Sequence, residues 1–393
     1  MPSPLEGRRL WIAGIGGAGM SGYAALARAW GAEVRGWDRA RTPYLEQLSD
    51  IDVAISDEPP SPPTGWEVYV SSAFADRVEG RTRAELLAEL VSLRDSVVVA
   101  GAHGKTTTAS MIAFCLARLG RDPAWLIGAD VPQLGGNAGT GEGWLVVEGD
   151  ESDRTVASLR PAVAVVTNID LDHHTTFASR DDVAQLFGDW LAHVADVVQG
   201  DGLAPYDGPL LVAGEHNRRN AACALAALDR LDVAPTDAAR VLADFTGAGR
   251  RLERRGEARG VEVIDDYAHH PAELAATLAA VGDGGRVLVL FQPHLYSRTR
   301  HLAAELAAAL AAADVVAVTD VYAAREQPVP GVTGKLIVDK LAERRPGMPL
   351  AWTPSWQTGA RFLAERARPG DRVLTIGAGD VDGAAPLLLE LLA

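Results

Sequence analysis

Short apolar runs alternate along the chain with longer alanine- and leucine-rich stretches of helical period, the pattern of parallel sheets whose strands are covered on both faces. Arg9-Leu-Trp-Ile-Ala13, Glu33-Val-Arg-Gly-Trp37 and Trp66-Glu-Val-Tyr-Val70 read as strands of a first unit, with a proline-rich loop from Pro59 to Pro63. A second unit opens at Ser96-Val-Val-Val-Ala100. It continues through strands at Trp144–Val147 and Ala162–Val166, a helix over about Arg180–Val194, a polar connection from Gly200 to Gly208 and an alanine-rich helix after Asn217. A third begins near Gly247, with strands at Val261–Ile264, Arg286–Leu290, Val315–Val318 and Arg372–Ile376. The fold class predicted is α/β, built from three such units.

Composition narrows the function more than the fold. The 393 residues are 48% hydrophobic and 23% charged, ordinary for a globular chain. The formal net charge of -15 excludes nucleic acid or an anionic membrane as a general partner, while leaving room for a local basic phosphate pocket. Cys115 and Cys223, each in an apolar alanine-rich stretch, read as buried free thiols of a reducing compartment. The first residues lack the features of a secretion leader, and no run reaches the ~20 apolar residues of a membrane span, so a cytoplasmic location without membrane insertion is expected.

Two glycine-rich turns carry the candidate chemistry. Gly14-x-Gly16-x-x-Gly19 lies between a strand and a helix, where glycines admit a diphosphate to the backbone and the helix N-terminus offers oriented N–H donors. Asp38, at the end of the next strand, stands where a ribose hydroxyl is held. By itself this turn suits NAD, FAD or a UDP-sugar. Gly101-Ala-His-Gly104-Lys105-Thr106-Thr107-Thr108 is the stronger signal: backbone N–H groups to surround phosphate, Lys105 for the β/γ oxygens, and Thr106 for Mg²⁺. Val99 occupies the place of the first glycine of Gly-x₄-Gly-Lys-Thr, so the loop is a shortened variant. One turn suits a nucleotide that stays intact and the other a nucleotide that is split.

Glu148, ending its strand, is the expected carboxylate ligand of Mg²⁺, with Asp150, Glu151 and Asp153 crowded behind it. His173, in Asn168-Ile-Asp-Leu-Asp-His-His174, has a parallel placement. An imidazole suits transition metals better than Mg²⁺, so chemistry alone makes it a structural histidine.

These segments resemble the Mur ligases. The resemblance rests on Gly14-Ile-Gly-Gly-Ala-Gly-Met-Ser21, Gly101-Ala-His-Gly-Lys-Thr-Thr-Thr108, Glu148-Gly-Asp-Glu-Ser-Asp153, Asn168-Ile-Asp-Leu-Asp-His173 and His216-Asn-Arg-Arg-Asn220. Gly249-Arg-Arg251, Asp265-Asp-Tyr-Ala-His-His-Pro271, Phe291-Gln-Pro-His-Leu-Tyr-Ser-Arg-Thr299, Asp320-Val-Tyr-Ala-Ala324 and Gly377-Ala-Gly-Asp380 complete it, in family order over nearly the whole chain. It implies three domains: residues 1–93, Rossmann-like and UDP-sugar-binding; 94–246, a P-loop central ATPase; and 247–393, a Rossmann-like C-terminal domain that rotates in with the amino acid.

The activity so implied is ATP-dependent ligation of L-alanine to the lactyl carboxylate of UDP-N-acetylmuramate through an acyl phosphate, with Mg²⁺ as cofactor, in peptidoglycan synthesis, by a monomer or weak homodimer. The blocks at 265–271 and 291–299 look like the alanine-adding branch. By the same matching Gly14, Gly16, Gly17, Gly19, Met20, Ser21, Asp38, Ser71 and Ser72 would bind the UDP-sugar. Gly101, His103, Gly104, Lys105, Thr106, Thr107, Asn217, Asn220, Arg251 and Asp266 would bind ATP. Tyr267, His269, His294 and Arg298 would receive the alanine, His269 being the candidate base. Thr106, Glu148 and His173 would be the metal ligands, and Lys105, Glu148, His173, Arg251 and Asp266 the catalytic set. Many relatives have arginine where this chain has Leu295, which leaves Arg298 for the alanine carboxylate.

The segment from Val194 to Glu215 is much shorter than the family pattern, a trimmed edge of the central domain. Three rivals stand beside this reading: a sister ligase that attaches a recycled tripeptide or another amino acid, a nicotinamide oxidoreductase resting on the first glycine turn alone, and a nucleotide-binding module without catalysis.

Overall fold

The computed structural model describes residues 3–171, 176–282, 284–324 and 326–393. Among the described residues there are three sheets, distributed over two compact units. The first unit holds the first two sheets, and the second is essentially residues 247–393 with two short upstream pieces.

In the first sheet β1 (Arg9–Ala13), β2 (Glu33–Asp38), β3 (Asp52–Ile55), β4 (Glu67–Val70) and β5 (Arg81–Thr82) run parallel in the order β3-β2-β1-β4-β5. Chain order therefore reverses at β1, which puts the turn into α1 (Ala18–Ala29) at the switch point where open α/β sheets bind ligands. Helix α2 (Arg83–Ser92) starts with a full capping box, Thr82 against Glu85, so Thr-Arg-Ala-Glu fixes where Arg83 emerges.

The second sheet, β6 (Ser96–Ala100), β7 (Ala124–Val131), β8 (Gly136–Thr140), β9 (Leu145–Glu148), β10 (Val163–Val166) and β11 (Asp196–Gln199), has the order β11-β10-β6-β9-β7-β8. Strand β6 is buried throughout, between β9 and β10, and both neighbours run parallel to it. The loops leaving β6, β9 and β10 therefore converge at one edge. Helix α3 (Lys105–Arg118) starts from the loop after β6 and buries 11 of its 14 residues, Thr106, Thr107, Thr108 and Ser110 among them. Helices α4 (Arg180–Leu191), α5 (Glu215–Arg230) and α6 (Pro235–Leu242) come next.

The third sheet takes β12 (Glu253–Ala258), β13 (Val261–Asp266), β14 (Val287–Phe291), β15 (Val315–Val318), β16 (Leu350–Trp352) and β17 (Arg372–Ile376) in the order β12-β13-β17-β14-β15-β16. Period-2 alternation sorts its side chains. Val289, Phe291, Leu374 and Ile376 pack beneath α7 (Pro271–Val281), α8 (Tyr296–Leu310) and α9 (Lys335–Arg344). Leu288, Leu290 and Val373 pack under α10 (Trp356–Ala364) and α11 (Ala384–Leu392).

The strands predicted from the apolar runs are present, displaced by one or two residues at some ends. Among the described residues, seven more strands were not anticipated. Edge strands β8 (Gly-Asn-Ala-Gly-Thr) and β12 (Glu-Arg-Arg-Gly-Glu-Ala) have no apolar alternation to read. Trp125 lies across Gly139, where a methyl group would come 2.2 Å from its ring, so that glycine serves the packing of an indole. After β11 the chain forms one short 3-10 turn and then runs without a strand to α5, in keeping with the shortened segment. Both cysteines are buried and free, and among the described residues no helix is long and apolar enough to cross a membrane.

Candidate functional site

At the first glycine turn the backbone crosses itself closely. Gly14 has φ 77°, and a methyl group there would stand 2.5 Å from Oγ of Ser71. Gly17 caps α1, with its N–H donating to Gly14 O at 3.2 Å, and Gly19, Met20 and Ser21 form the first turn of the helix. The Ser71 N–H donates to Ala13 O, and Ser72 is exposed beside it. Asp38, 8% exposed, braces the turn: its Oδ2 accepts the Gly16 N–H at 2.8 Å. Thr42 Oγ1 donates to Gly16 O at 2.6 Å from the other side.

The second turn is held from three directions. After β10, Thr167 Oγ1 and Asn168 Nδ2 donate to His103 O at 2.6 and 2.8 Å, and Asn168 Oδ1 accepts the His103 N–H at 3.0 Å. Gly101 (φ 129°) and Gly104 (φ 85°) are held in conformations that favour glycine. A side chain at Gly101 would strike Thr167, and at Gly104 it would lie 2.2 Å from Oδ1 of Asn220. Asn220 on α5 is thus seated at the loop. Asn217, one turn earlier, is buried and donates from Nδ2 to Ala213 O.

Lys105 Nζ donates to Gly101 O at 2.7 Å and to Ala102 O at 3.3 Å, and pairs with the Glu151 carboxylate at 3.0 Å. Burial works against the ammonium, yet Glu151, Glu148 and Asp150 outweigh it and raise its pKa. Glu151 sits 2% exposed, and burial lifts it to about 7 although Lys105 pulls the other way. The folded chain therefore keeps a proton that an unfolded carboxyl, ordinarily near 4.5, has released. Stability drawn from that proton is complete below about pH 4.5 and is lost as pH rises through about 7, a change of about 3 kcal/mol. Glu151→Gln, which cannot ionise, is expected to lose less melting temperature than the unaltered chain between pH 5 and 8. Parallel melting curves would show that the carboxyl titrates normally.

Thr106 Oγ1 donates to Glu148 Oε1 at 2.8 Å, and Glu148 Oε2 accepts the Gly128 N–H at 2.7 Å. A hydroxyl and a carboxylate converging beside a phosphate turn are the hard oxygen donors that Mg²⁺ takes, so these residues fit the ion. His173, the expected third ligand, lies outside the described residues. Thr107, buried, continues the helix.

In the second unit the residues expected at the amino acid are brought together. The rings of Tyr267 and His269 lie 5.5 Å apart, those of His269 and His294 5.5 Å apart, and His294 stacks on Tyr322 at 6.0 Å. Arg298, 3% exposed, donates to His294 Nδ1 at 3.0 Å. Since a carbonyl can only accept, the 2.9 Å contact of His269 Nδ1 with Tyr267 O makes Nδ1 the donor and leaves Nε2 unprotonated in the neutral ring. Leu295 has φ 68°, so a non-glycine residue in the left-handed region launches α8.

Asp266 accepts N–H groups from Leu252 and Ala268 and the Thr277 hydroxyl, and burial raises its pKa despite Arg251 nearby. Two arginines approach the Tyr267 ring, Arg250 at 5.1 Å and Arg251 at 5.2 Å from its centre. The two play different parts, since Arg250 is spent on Asp265 and the carbonyls of Gly377 and Gly379.

Sequence reasoning passed over Glu151 as the partner of Lys105, Thr167 and Asn168 as the brace of the loop, and Tyr322. The strand order around β6 would have indicated the first three. The apolar runs alone do not give that order.

Residues 99–197 match the model of the Mur ligase middle domain, and 250–379 that of the Mur ligase glutamate ligase domain. The chain is 39% identical, over 98% of its length and 96% of the relative's, to the UDP-N-acetylmuramate–L-alanine ligase of Kineococcus radiotolerans. To that of Streptomyces coelicolor it is 38% identical over 100% and 99%. The first alignment spans 457 positions against 393 residues, so at least 64 positions are gaps in this chain. Among solved structures its fold is similar to the UDP-N-acetylmuramate–alanine ligase of Thermotoga maritima, at TM-score 0.77 and 24% identity over 97% and 98% of the two chains. A murein peptide ligase of Psychrobacter arcticus gives 0.64 and 22% over 98% and 99%.

Proposed function

Because the chain belongs to the Mur ligase family, we propose that it joins L-alanine to the lactyl carboxylate of UDP-N-acetylmuramate at the expense of ATP, in peptidoglycan precursor synthesis in the cytoplasm. One observation carries the reading: a lysine-bearing glycine turn stands beside a converging Thr106–Glu148 oxygen pair, in a chain 39% identical over nearly its full length to a protein named for that ligation. Domain limits of 1–93, 94–246 and 247–393 go with it, as does a monomer or weak homodimer.

A carboxylate is a poor electrophile, and phosphorylation gives it a leaving group. The lactyl oxygen attacks the γ-phosphate, ADP departs, and the alanine amine then attacks the acyl carbon, expelling phosphate. The N–H groups of the turn from Gly101 to Thr107 surround the phosphates, and Lys105 turns from Gly101 O and Ala102 O towards the γ oxygens. Thr106 and Glu148 would hold Mg²⁺, with His173 as a further ligand, and a cation there would supply charge neutralisation for the transferring group. Asn217 and Asn220 lie along the nucleotide. Arg251 and Asp266 serve it from the C-terminal domain, and closure of that domain keeps water from the acyl phosphate. Arg298 holds the alanine carboxylate among Tyr267, His269 and His294, and Nε2 of His269 takes a proton from the amine.

The test is ADP release with UDP-N-acetylmuramate and Mg·ATP as each amino acid is omitted in turn, with the recycled tripeptide in parallel. ADP release that depends on alanine is expected. Release dependent on tripeptide alone would make this the sister ligase.

A further inference from the structure

From the last residue of β9 to the 3-10 turn at Thr155–Ser158 the chain sets carboxylates at Glu148, Asp150, Glu151 and Asp153. Glu148 reaches Thr106, and Glu151 reaches Lys105. Asp153 points to the other phosphate turn: its Oδ2 accepts from Arg83 Nη2 at 2.9 Å. Arg83 opens α2 from the Thr82 cap and lies against the first turn of α1. A methyl group at Gly19 would stand 3.7 Å from its Nη1 and 3.8 Å from the hydroxyl of Tyr23, a buried phenol that also meets the guanidinium.

The acidic turn is stiff. Asp150 Oδ1 accepts the Ser152 N–H, Asp153 Oδ1 the Thr155 N–H, Glu151 O the Arg154 N–H and Asp150 O the Val156 N–H. Arg154 is held at φ 62°. Glu151 and Asp153 therefore move as one piece, with one end on Lys105 and the other on Arg83.

We propose that Arg83 is a positioning residue that couples the two phosphate turns: through Asp153 and the stiff acidic turn it links the diphosphate seat at Gly14–Gly19 to the Lys105–Glu151 pair of the triphosphate loop. The coupling rests on the reading that the first turn holds a nucleotide-sugar diphosphate. An anion arriving at the start of α1 competes with Asp153 for the guanidinium fork. As Asp153 is released, the acidic turn shifts as one piece, Glu151 loosens its hold, and Lys105 is freed towards the γ-phosphate. UDP-sugar then favours ATP and, by reciprocity, ATP favours UDP-sugar.

The test is calorimetric titration of the full chain with a non-hydrolysable ATP analogue and Mg²⁺, with and without saturating UDP-N-acetylmuramate. It is run on the unaltered chain, Arg83→Ala, Arg83→Lys and Asp153→Asn, each checked for an unchanged melting temperature. In the unaltered chain the sugar nucleotide should tighten the analogue by at least about fivefold. That ratio should fall to near one in Arg83→Ala and Asp153→Asn and be partly restored in Arg83→Lys, while the analogue still binds each variant alone. A ratio of one in the unaltered chain, or a ratio that survives both Arg83→Ala and Asp153→Asn, overturns the coupling and leaves the ligase reading standing. Failure of UDP-N-acetylmuramate to bind the unaltered chain overturns both.

Discussion

Lys105→Ala is expected to lower alanine-dependent ADP release by about 10³-fold or more, while UDP-N-acetylmuramate binds within about twofold of its usual affinity. The asymmetry follows from placement. Nζ is the cation of the loop, at 2.7 Å from Gly101 O and paired with Glu151, and in the proposed reaction the phosphoryl in flight needs that charge. The first glycine turn is braced separately, by Asp38 and Thr42 on Gly16. Deleting the ammonium also strips Glu151 of its cation, so the melting temperature should be followed alongside. Turnover at the full rate by a folded Lys105→Ala chain would remove the residue from the reaction.

Glu148→Ala should raise the Mg²⁺ needed for half-maximal rate by at least about tenfold. Glu148→Gln discriminates better, because it can still accept the Thr106 hydroxyl and the Gly128 N–H while losing the negative charge. A Gln chain that folds normally but needs much more Mg²⁺ assigns the effect to ligation. An Mg²⁺ titration superimposable on that of the unaltered chain would take Glu148 out of the coordination sphere.

Much of this was legible in the sequence because parallel α/β sheets write their strands as short apolar runs and place their sites in the loops at the strand ends. The glycine turns, Lys105, Thr106 and Glu148 were each readable locally. The gathering of Tyr267, His269, His294 and Arg298 came instead from resemblance, since β13 and β14 are separated by β17, a strand more than 80 residues downstream of β14. The features that stayed hidden depend on strand order or on choosing between equals. Glu151 stands among four acids within six residues, and only three dimensions show that it, and not Asp150, takes Lys105. Arg250 and Arg251 are adjacent and alike, yet one is spent on Asp265 and two carbonyls. Strands β8 and β12 lie at sheet edges, where polar and charged residues are tolerated and the apolar pattern fades.

In the proposed reaction the loop ending in Lys105 and Thr106 delivers the terminal phosphoryl of ATP to a carboxyl oxygen of the sugar nucleotide. UDP-N-acetylmuramate carrying ¹⁸O in its lactyl carboxylate, turned over with alanine and Mg·ATP, tests it directly by mass analysis of the phosphate released. One ¹⁸O atom in each phosphate is the result expected of an acyl phosphate. Phosphate free of label, with the isotope retained in the amide product or lost to water, would contradict the account.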